Sequence, residues 1–313
     1  MDVAPEELQF LSIPDILRES VSIPERSPKA FNLITLVLIF PLSFAILAHS
    51  LFTHPILNQF ESHTARWTLL LAFQFFYLIF LFGFSLLSTA AVVFTVASLY
   101  TSKPVSFSST ISAIPKVFKR LFITFAWISL LMFLYNALLI AFLFIFSLAV
   151  NTQNVVLSFL AFILILVLFL GVHVYITALW HLASVVSVLE PIYGLAAMKK
   201  SYELLKGRVN MACILVLGYL AICSVIGGTF GTVVVHGGER YGVFWRIVVG
   251  GFLIGVLVIV NLVGLLVQSV FYYVCKSYHH QGIDKSALHD HLGGYLGEYV
   301  PLKSSIQMEN LDT

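Results

Sequence analysis

The chain alternates long apolar runs with short polar joints. Runs free of Lys, Arg, Asp and Glu occupy about 31–52, 67–99, 121–150, 155–189, 209–235 and 243–275. The last is broken only by Arg246, near its start, where a long side chain can snorkel outward. Each run reaches the ~20 residues that an α-helix needs to cross a ~30 Å hydrocarbon core, so helices rather than barrel strands are implied. The pattern predicts an all-α polytopic membrane protein with six transmembrane helices. At ~1.5 Å per residue the runs at 67–99 and 155–189 extend about 50 Å, well past the core, and are expected to tilt, kink or protrude.

The charges divide between the two sides of this layout. Arg18, Arg26, Lys29, Lys103, Lys116, Lys119, Arg120, Lys199, Lys200, Lys206, Arg208, Lys276, Lys285 and Lys303 fall on one side, and Arg66, Arg240 and Arg246 on the other. The positive-inside rule then places both termini in the cytosol. Three parts follow: a cytosolic N-terminal segment (1–30) with a short amphipathic helix, the transmembrane domain (31–275) and a cytosolic tail (276–313). The opposite links, THPILNQFESHTAR, NTQN and HGGERYG, are too short for a domain, so any activity is expected in the membrane or on its cytosolic face. Composition agrees, because 59% hydrophobic and 10% charged residues with a mean hydropathy of +0.98 cannot coat a water-soluble globule, where charge is typically about 25%. Basic residues are scattered rather than patched, which argues against nucleic acid as a partner. Cys213, Cys223 and Cys275 sit in apolar runs or at the end of one and suit neither a disulfide framework nor a zinc site. The acidic start, MDVAPEELQF, lacks the features of a signal peptide, so the first span is expected to direct insertion.

The joint ahead of each outward-going span is amphipathic. In SFSSTISAIPKVFKR, Ile111, Ile114, Val117, Phe118 and Leu121 recur at helical spacing beside Lys116, Lys119 and Arg120. In EPIYGLAAMKKSYELLKGR, Ile192, Leu195, Met198, Tyr202 and Leu205 form a stripe while Lys199, Lys200, Glu203 and Lys206 face away. These read as cytosolic helices lying in the headgroup region. A third, within residues 8–30, is less regular, with Pro14 and Pro24 confining it to about ten residues. Three tandem units, each an interfacial helix and a two-span hairpin starting near residues 8, 105 and 190, account for the pattern; the alternative is that any basic joint beside a span looks amphipathic.

Pro191 is expected to stop the fourth span and start a new helix, and Gly207 to end that helix in a left-handed cap. Lys199, Lys200, Lys206 and Arg208, with Lys116, Lys119 and Arg120, are topological anchors on the plainer reading and contacts to anionic lipid headgroups on the sharper one, at about 1 kcal/mol per cation near an anionic leaflet. The run EPIYGLAAMKKSYELLKGR resembles the recurring motif of bacterial membrane proteins of the glycerophosphodiester phosphodiesterase membrane-domain type. With LQFLSIPDILRES and the six-span layout, the chain also resembles a plant family of uncharacterised membrane proteins of that architecture. The resemblance implies a six-helix domain of the endoplasmic reticulum or another endomembrane with no established activity; in the bacterial enzymes catalysis belongs to a separate soluble barrel, for which the tail here leaves no room. Some members of the plant family are labelled as binders of a polyadenylate-binding-protein partner, which no residue pattern here supports.

Inside the spans the polar residues are Gln74, Asn136, His173, His181, Asn261 and Gln268, without the buried acid or base usual in an ion-coupled carrier. They serve either as inter-helix hydrogen bonds or as a substrate path. His173 and His181 lie about 12 Å apart along one helix face, too far to share a metal. The glycines of VIGGTFG and VVGGFLIG are expected to pack the fifth and sixth spans closely. His279, His280, His289 and His291 match no metal-site spacing and read as soluble tail residues. No motif for a nucleophile, a phosphate loop or a paired acid and base is present, and no cofactor is implied. The expectation is a non-enzymatic endomembrane protein contacting lipid and an unidentified cytosolic partner; the alternative is a transporter or channel for a small neutral or lipidic substrate.

Overall fold

The computed structural model describes residues 7–58, 64–100, 107–149, 155–238 and 241–281, and among them every regular element is helical. A 3-10 turn (Leu8–Phe10) precedes α1 (Ile13–Arg26), α2 (Pro28–Ile34), a π-helical stretch (Thr35–Ile39) and α3 (Phe40–Asn58). Then come α4 (Thr64–Tyr100), α5 (Phe107–Ala149), α6 (Val155–Leu189), α7 (Leu195–Leu205), α8 (Val209–Thr229), a second π-helical stretch (Phe230–Val235) and α9 (Val243–Tyr278). Among the described residues six helical segments are long and apolar enough to cross a membrane: Pro28–Thr53, Thr68–Tyr100, Val117–Leu148, Val156–Leu189, Val209–Val235 and Val243–Tyr278. The protein is therefore an all-α, multi-pass membrane protein, as its hydropathy predicts.

Burial splits the longest helices in two. In α4, Leu69, Leu71, Phe75 and Phe76 are exposed, while every residue from 88 to 98 is buried. In α6 the change comes between the exposed Val172 and the fully enclosed run 182–189, and in α9 between Phe252 and the run 269–275. The enclosed stretches read STAAVVFTVAS, LASVVSVL and SVFYYVC, so small and β-branched residues dominate where helices are surrounded on all sides. They are wrapped by α1 and the Leu8–Phe10 turn against α9, by α7 against α6, and by the start of α5 against α4. Arg18, Glu25 and Arg26 on α1, and Lys199, Glu203 and Lys206 on the α7 segment, are exposed around this zone. Charges in that position need water or headgroups, so the enclosed ends lie outside the hydrocarbon. The overlong runs thus protrude into a protein cap, here called the basic end.

Of the three interfacial helices expected, α1 and α7 are separate elements and the middle one is not. Residues 107–120 continue without a break into the third span as the 43-residue α5, with Pro115 inside it. The physical difference lies in the joint. Ser27 leaves the helical region (φ −146°) ahead of Pro28, and Gly207 adopts φ +82° ahead of α8, whereas KVFKRLF holds nothing that favours a break. Helix α1 is also longer than the expected ten residues: Pro14 sits in its first turn, where a missing N–H costs least, and the helix runs through Pro24 near its end at the loss of one i→i−4 bond. Helix α6 does stop at Leu189, but Pro191 does not open α7; the chain turns through 190–194 first.

The glycine expectation fails for the most part. A Cβ on Gly227, Gly228, Gly231, Gly251 or Gly255 would meet nothing within 4 Å, and of that set only Gly250 is packed, against Phe230 and Val234. Large side chains rather than glycine faces join the fifth and sixth spans. Arg246 does not extend outward either: its Nε and Nη2 donate to the Val234 carbonyl at 2.8 and 2.6 Å, capping the carbonyl that the π-helical stretch leaves free.

Candidate functional site

The basic residues singled out above meet at the junction of α5, α6, α7 and α9. Gly194, at φ +63°, turns the chain back toward α5, and its N–H donates to Thr124 Oγ1 at 2.8 Å. A Cβ there would lie 3.4 Å from the Trp127 ring in a backbone region that L-residues rarely adopt, so glycine is required. Helix α7 then lies along α6 through Ala197, Ser201, Leu204 and Leu205, with the Ser201 hydroxyl donating to the Leu179 carbonyl at 2.9 Å. Of the stripe read in the sequence, Leu205 lies on this packed face and Ile192 packs against the core. Leu195 and Tyr202 point outward instead, about half exposed, beside Lys199. Apolar side chains and a lysine therefore share the outer surface of α7.

Most of the candidate cations are already engaged within the protein. Arg120 Nη1 donates to the Glu190 carbonyl at 3.2 Å, and Lys200 Nζ to Gln281 Oε1 at 2.7 Å. Lys206 lies 5.0 Å over the Tyr202 ring and Arg208 4.7 Å over Tyr278, with Arg208 also donating to the Gln9 carbonyl. Lys119 and Lys199 are exposed and make no such contact among the described residues. The Lys116 side chain lies outside the described residues, as do Lys103, Lys285, Lys303, His289 and His291. Sequence reasoning missed the central tie. Glu190 Oε1 accepts from the Tyr272 hydroxyl at 2.6 Å and from Lys276 Nζ at 3.2 Å, joining α9 to the end of α6. The signal available was an acidic residue at the foot of a span, facing a lysine at the foot of another.

The intramembrane polar residues fall into separate pairs rather than one cluster. Gln74 Oε1 is 2.9 Å from His49 Nε2, whose ring stacks on Tyr77 at 4.0 Å, so this group links α3 to α4. Asn261 Nδ2 donates to Ser43 Oγ and its Oδ1 accepts from the Tyr219 hydroxyl, both at 2.8 Å, tying α9 to α3 and α8. His181 meets the Tyr219 ring edge-on at 6.1 Å and hydrogen-bonds with Gln268. His173 lies beside Tyr135, whose hydroxyl donates to the Phe169 carbonyl at 2.5 Å. Asn136 differs: it is exposed and, among the described residues, donates only to Met132 O of its own helix, at 2.7 Å. Among the described residues no group of three or more His, Cys, Asp or Glu is placed to hold a metal.

A family model described as Domain of unknown function (DUF8558) matches residues 1–311. The chain belongs to this family. No curated protein and no solved structure matches it. The match covers the basic cap and all six spans of this DUF8558 member.

Proposed function

We propose that this protein is a non-enzymatic scaffold of an endomembrane such as the endoplasmic reticulum, with both termini cytosolic, whose α7 and basic start of α5 contact anionic lipid headgroups. A cytosolic protein partner docking on the same cap belongs to this reading, as does kinship with the plant membrane proteins that the 190–208 motif resembles. The observation that carries it is the division of labour among the cations. Lys200, Arg208 and Arg120 hold the cap together, while Lys199 and Lys119 stand exposed among Leu195, Tyr202 and Phe118. The carrier alternative needs polar residues that share a path. What supports the scaffold over it is that Gln74, His181, Asn261 and Gln268 are each closed by a partner on a neighbouring helix, the common structural use of such groups.

The test is native purification with mass spectrometry of bound lipid, comparing the wild type with Lys119→Ala combined with Lys199→Ala. Loss of a co-purifying anionic lipid in the variant, with the fold intact, is the expected result. Unchanged anionic lipid removes the headgroup role, and substrate flux in vesicles abolished by His181→Ala would favour the carrier instead.

A further inference from the structure

In the outer half of α5, beyond Trp127, the described residues are covered along one stripe, on which Tyr135 meets Phe169 and Phe146 meets Phe162, with Phe142 against Phe169 at its edge. Its other faces are open. Asn136 lies on one of them, nine residues past Trp127, or about 14 Å at ~1.5 Å per residue, which is near the middle of a ~30 Å core if Trp127 marks the interface. One Nδ2 hydrogen goes to Met132 O, and among the described residues no donor reaches Oδ1. A primary amide with an open donor and an open acceptor facing acyl chains is costly, and lipid tails offer it no partner. The other two intramembrane amides singled out at mid-span, Gln74 and Asn261, do not share this state: Gln74 has His49, and Asn261 has Ser43 and Tyr219.

We propose that this face of α5 is the contact between two copies of the chain, related by a twofold axis along the membrane normal. All copies insert in one orientation, so such an axis brings Asn136 of one protomer to Asn136 of the other at the same depth, where each amide donates to and accepts from its mate. A helix of any other protein would need its own polar residue at that level, whereas a second copy supplies it by construction. The surrounding face suits a helix contact: Ala137 and Ala141, four residues apart, let two backbones approach, and Phe133 and Ile140, 70% and 67% exposed, flank the amide. This contact is independent of the headgroup reading, since it uses the opposite half of the helix.

The experiment measures energy transfer between donor- and acceptor-labelled full-length chains in phosphatidylcholine vesicles over a range of protein-to-lipid ratios. Wild type should self-associate, Asn136→Leu should weaken association about tenfold, the scale of one to two inter-helix hydrogen bonds, and Asn136→Gln should restore most of it. In a chain with Cys213, Cys223 and Cys275 replaced by Ser, Asn136→Cys should cross-link between protomers, and Phe76→Cys, on the exposed face of α4, should not. Wild type that stays monomeric at the highest density, Asn136→Leu that associates as tightly as wild type, or cross-linking through position 76 and not 136 would each overturn the proposal.

Discussion

From Val156 to Val172, α6 meets protein along one stripe that includes Ala161, Ile165 and Phe169, while from Leu182 to Leu189 every one of its residues is enclosed. The backbone is the same helix throughout; the solvent is not. In the outer half a leucine leaving lipid for protein gains little, because acyl chains are as apolar as it is, and association there rests on packing and a few hydrogen bonds. In the basic cap the alternative to burial is water, and each buried apolar Å² contributes on the order of 25 cal/mol. The structure therefore concentrates its stability at one end and leaves the other half as paired helices open to lipid.

A matched pair on one helix tests this most severely. Leu182 is 2% exposed in the cap and Leu164 is 59% exposed in the outer half. Leu182→Ala should lower unfolding stability by about 3 kcal/mol, whereas Leu164→Ala should change it by less than about 0.5 kcal/mol. Denaturant unfolding of both variants in one detergent reads the difference. Equal losses would mean that the two halves are not energetically distinct.

The tie between α6 and α9 comes next. Removing the Glu190 side chain takes the acceptor from the Tyr272 hydroxyl and the ion pair from Lys276, whose Nζ keeps its bond to the Tyr272 oxygen at 3.2 Å. The side chains of the ion pair are roughly a fifth exposed, so water recovers part of the loss, and Glu190→Ala should cost about 2 kcal/mol rather than the full penalty of a buried pair. A thermal midpoint unmoved by Glu190→Ala would take this group out of the cap's stability.

Neighbouring tyrosines provide a finer test with opposite signs. Tyr272 and Tyr273 are both fully enclosed, but Tyr272 donates to Glu190 and the Tyr273 hydroxyl has no partner among the described residues, its ring stacked on Tyr100 at 4.3 Å. Tyr272→Phe should therefore cost about 1 kcal/mol, and Tyr273→Phe should leave stability equal or raise it by up to about 1 kcal/mol, since it removes a buried hydroxyl that bonds to nothing. Two losses of the same size would show that the Tyr273 hydroxyl is satisfied after all.

The six spans were legible because a 20-residue apolar run leaves the backbone no state but a helix. The cap was not, although its trace is in the sequence: in α4 the run FQFFYLIFLF gives way to STAAVVFTVAS, and the shift from bulky to small residues marks where lipid ends and protein begins. Hydropathy alone cannot see that shift, since Ala and Val count as apolar in both solvents. The α7 segment was legible as amphipathic, and Leu205 of its expected stripe is buried, yet the packed face also uses Ala197 and Ser201, which a search for large apolar side chains passes over. The fates of the lysines were not legible at all, because Lys199 and Lys200 are adjacent in sequence, and it is the fold that leaves one exposed and sets Gln281 opposite the other.

The smallest effect belongs to the rim of the cap, where α1 starts. The Asp15 carboxylate accepts from the Ser12 hydroxyl at 2.5 Å and from the Ser12 N–H at 3.0 Å, and these two bonds, with Arg18 nearby, hold its pKa below the ordinary value. A depressed folded pKa adds stability above the unfolded value of about 3.9 and loses it as pH falls through the folded one. The first turn of α1 should accordingly fray in the wild type as pH falls from above the unfolded value through the lowered folded one, while in Asp15→Asn it should be frayed to the same degree throughout. Amide exchange over residues 13–18, corrected for the intrinsic pH dependence, reads this directly. Because Ile16, Ser20 and Ile23 are buried further along, the fraying should stop within that turn. If it spread through α1, the helix would be held to α9 by its capped start rather than by its buried face, and the cap would be less self-sufficient than its enclosed helix ends imply.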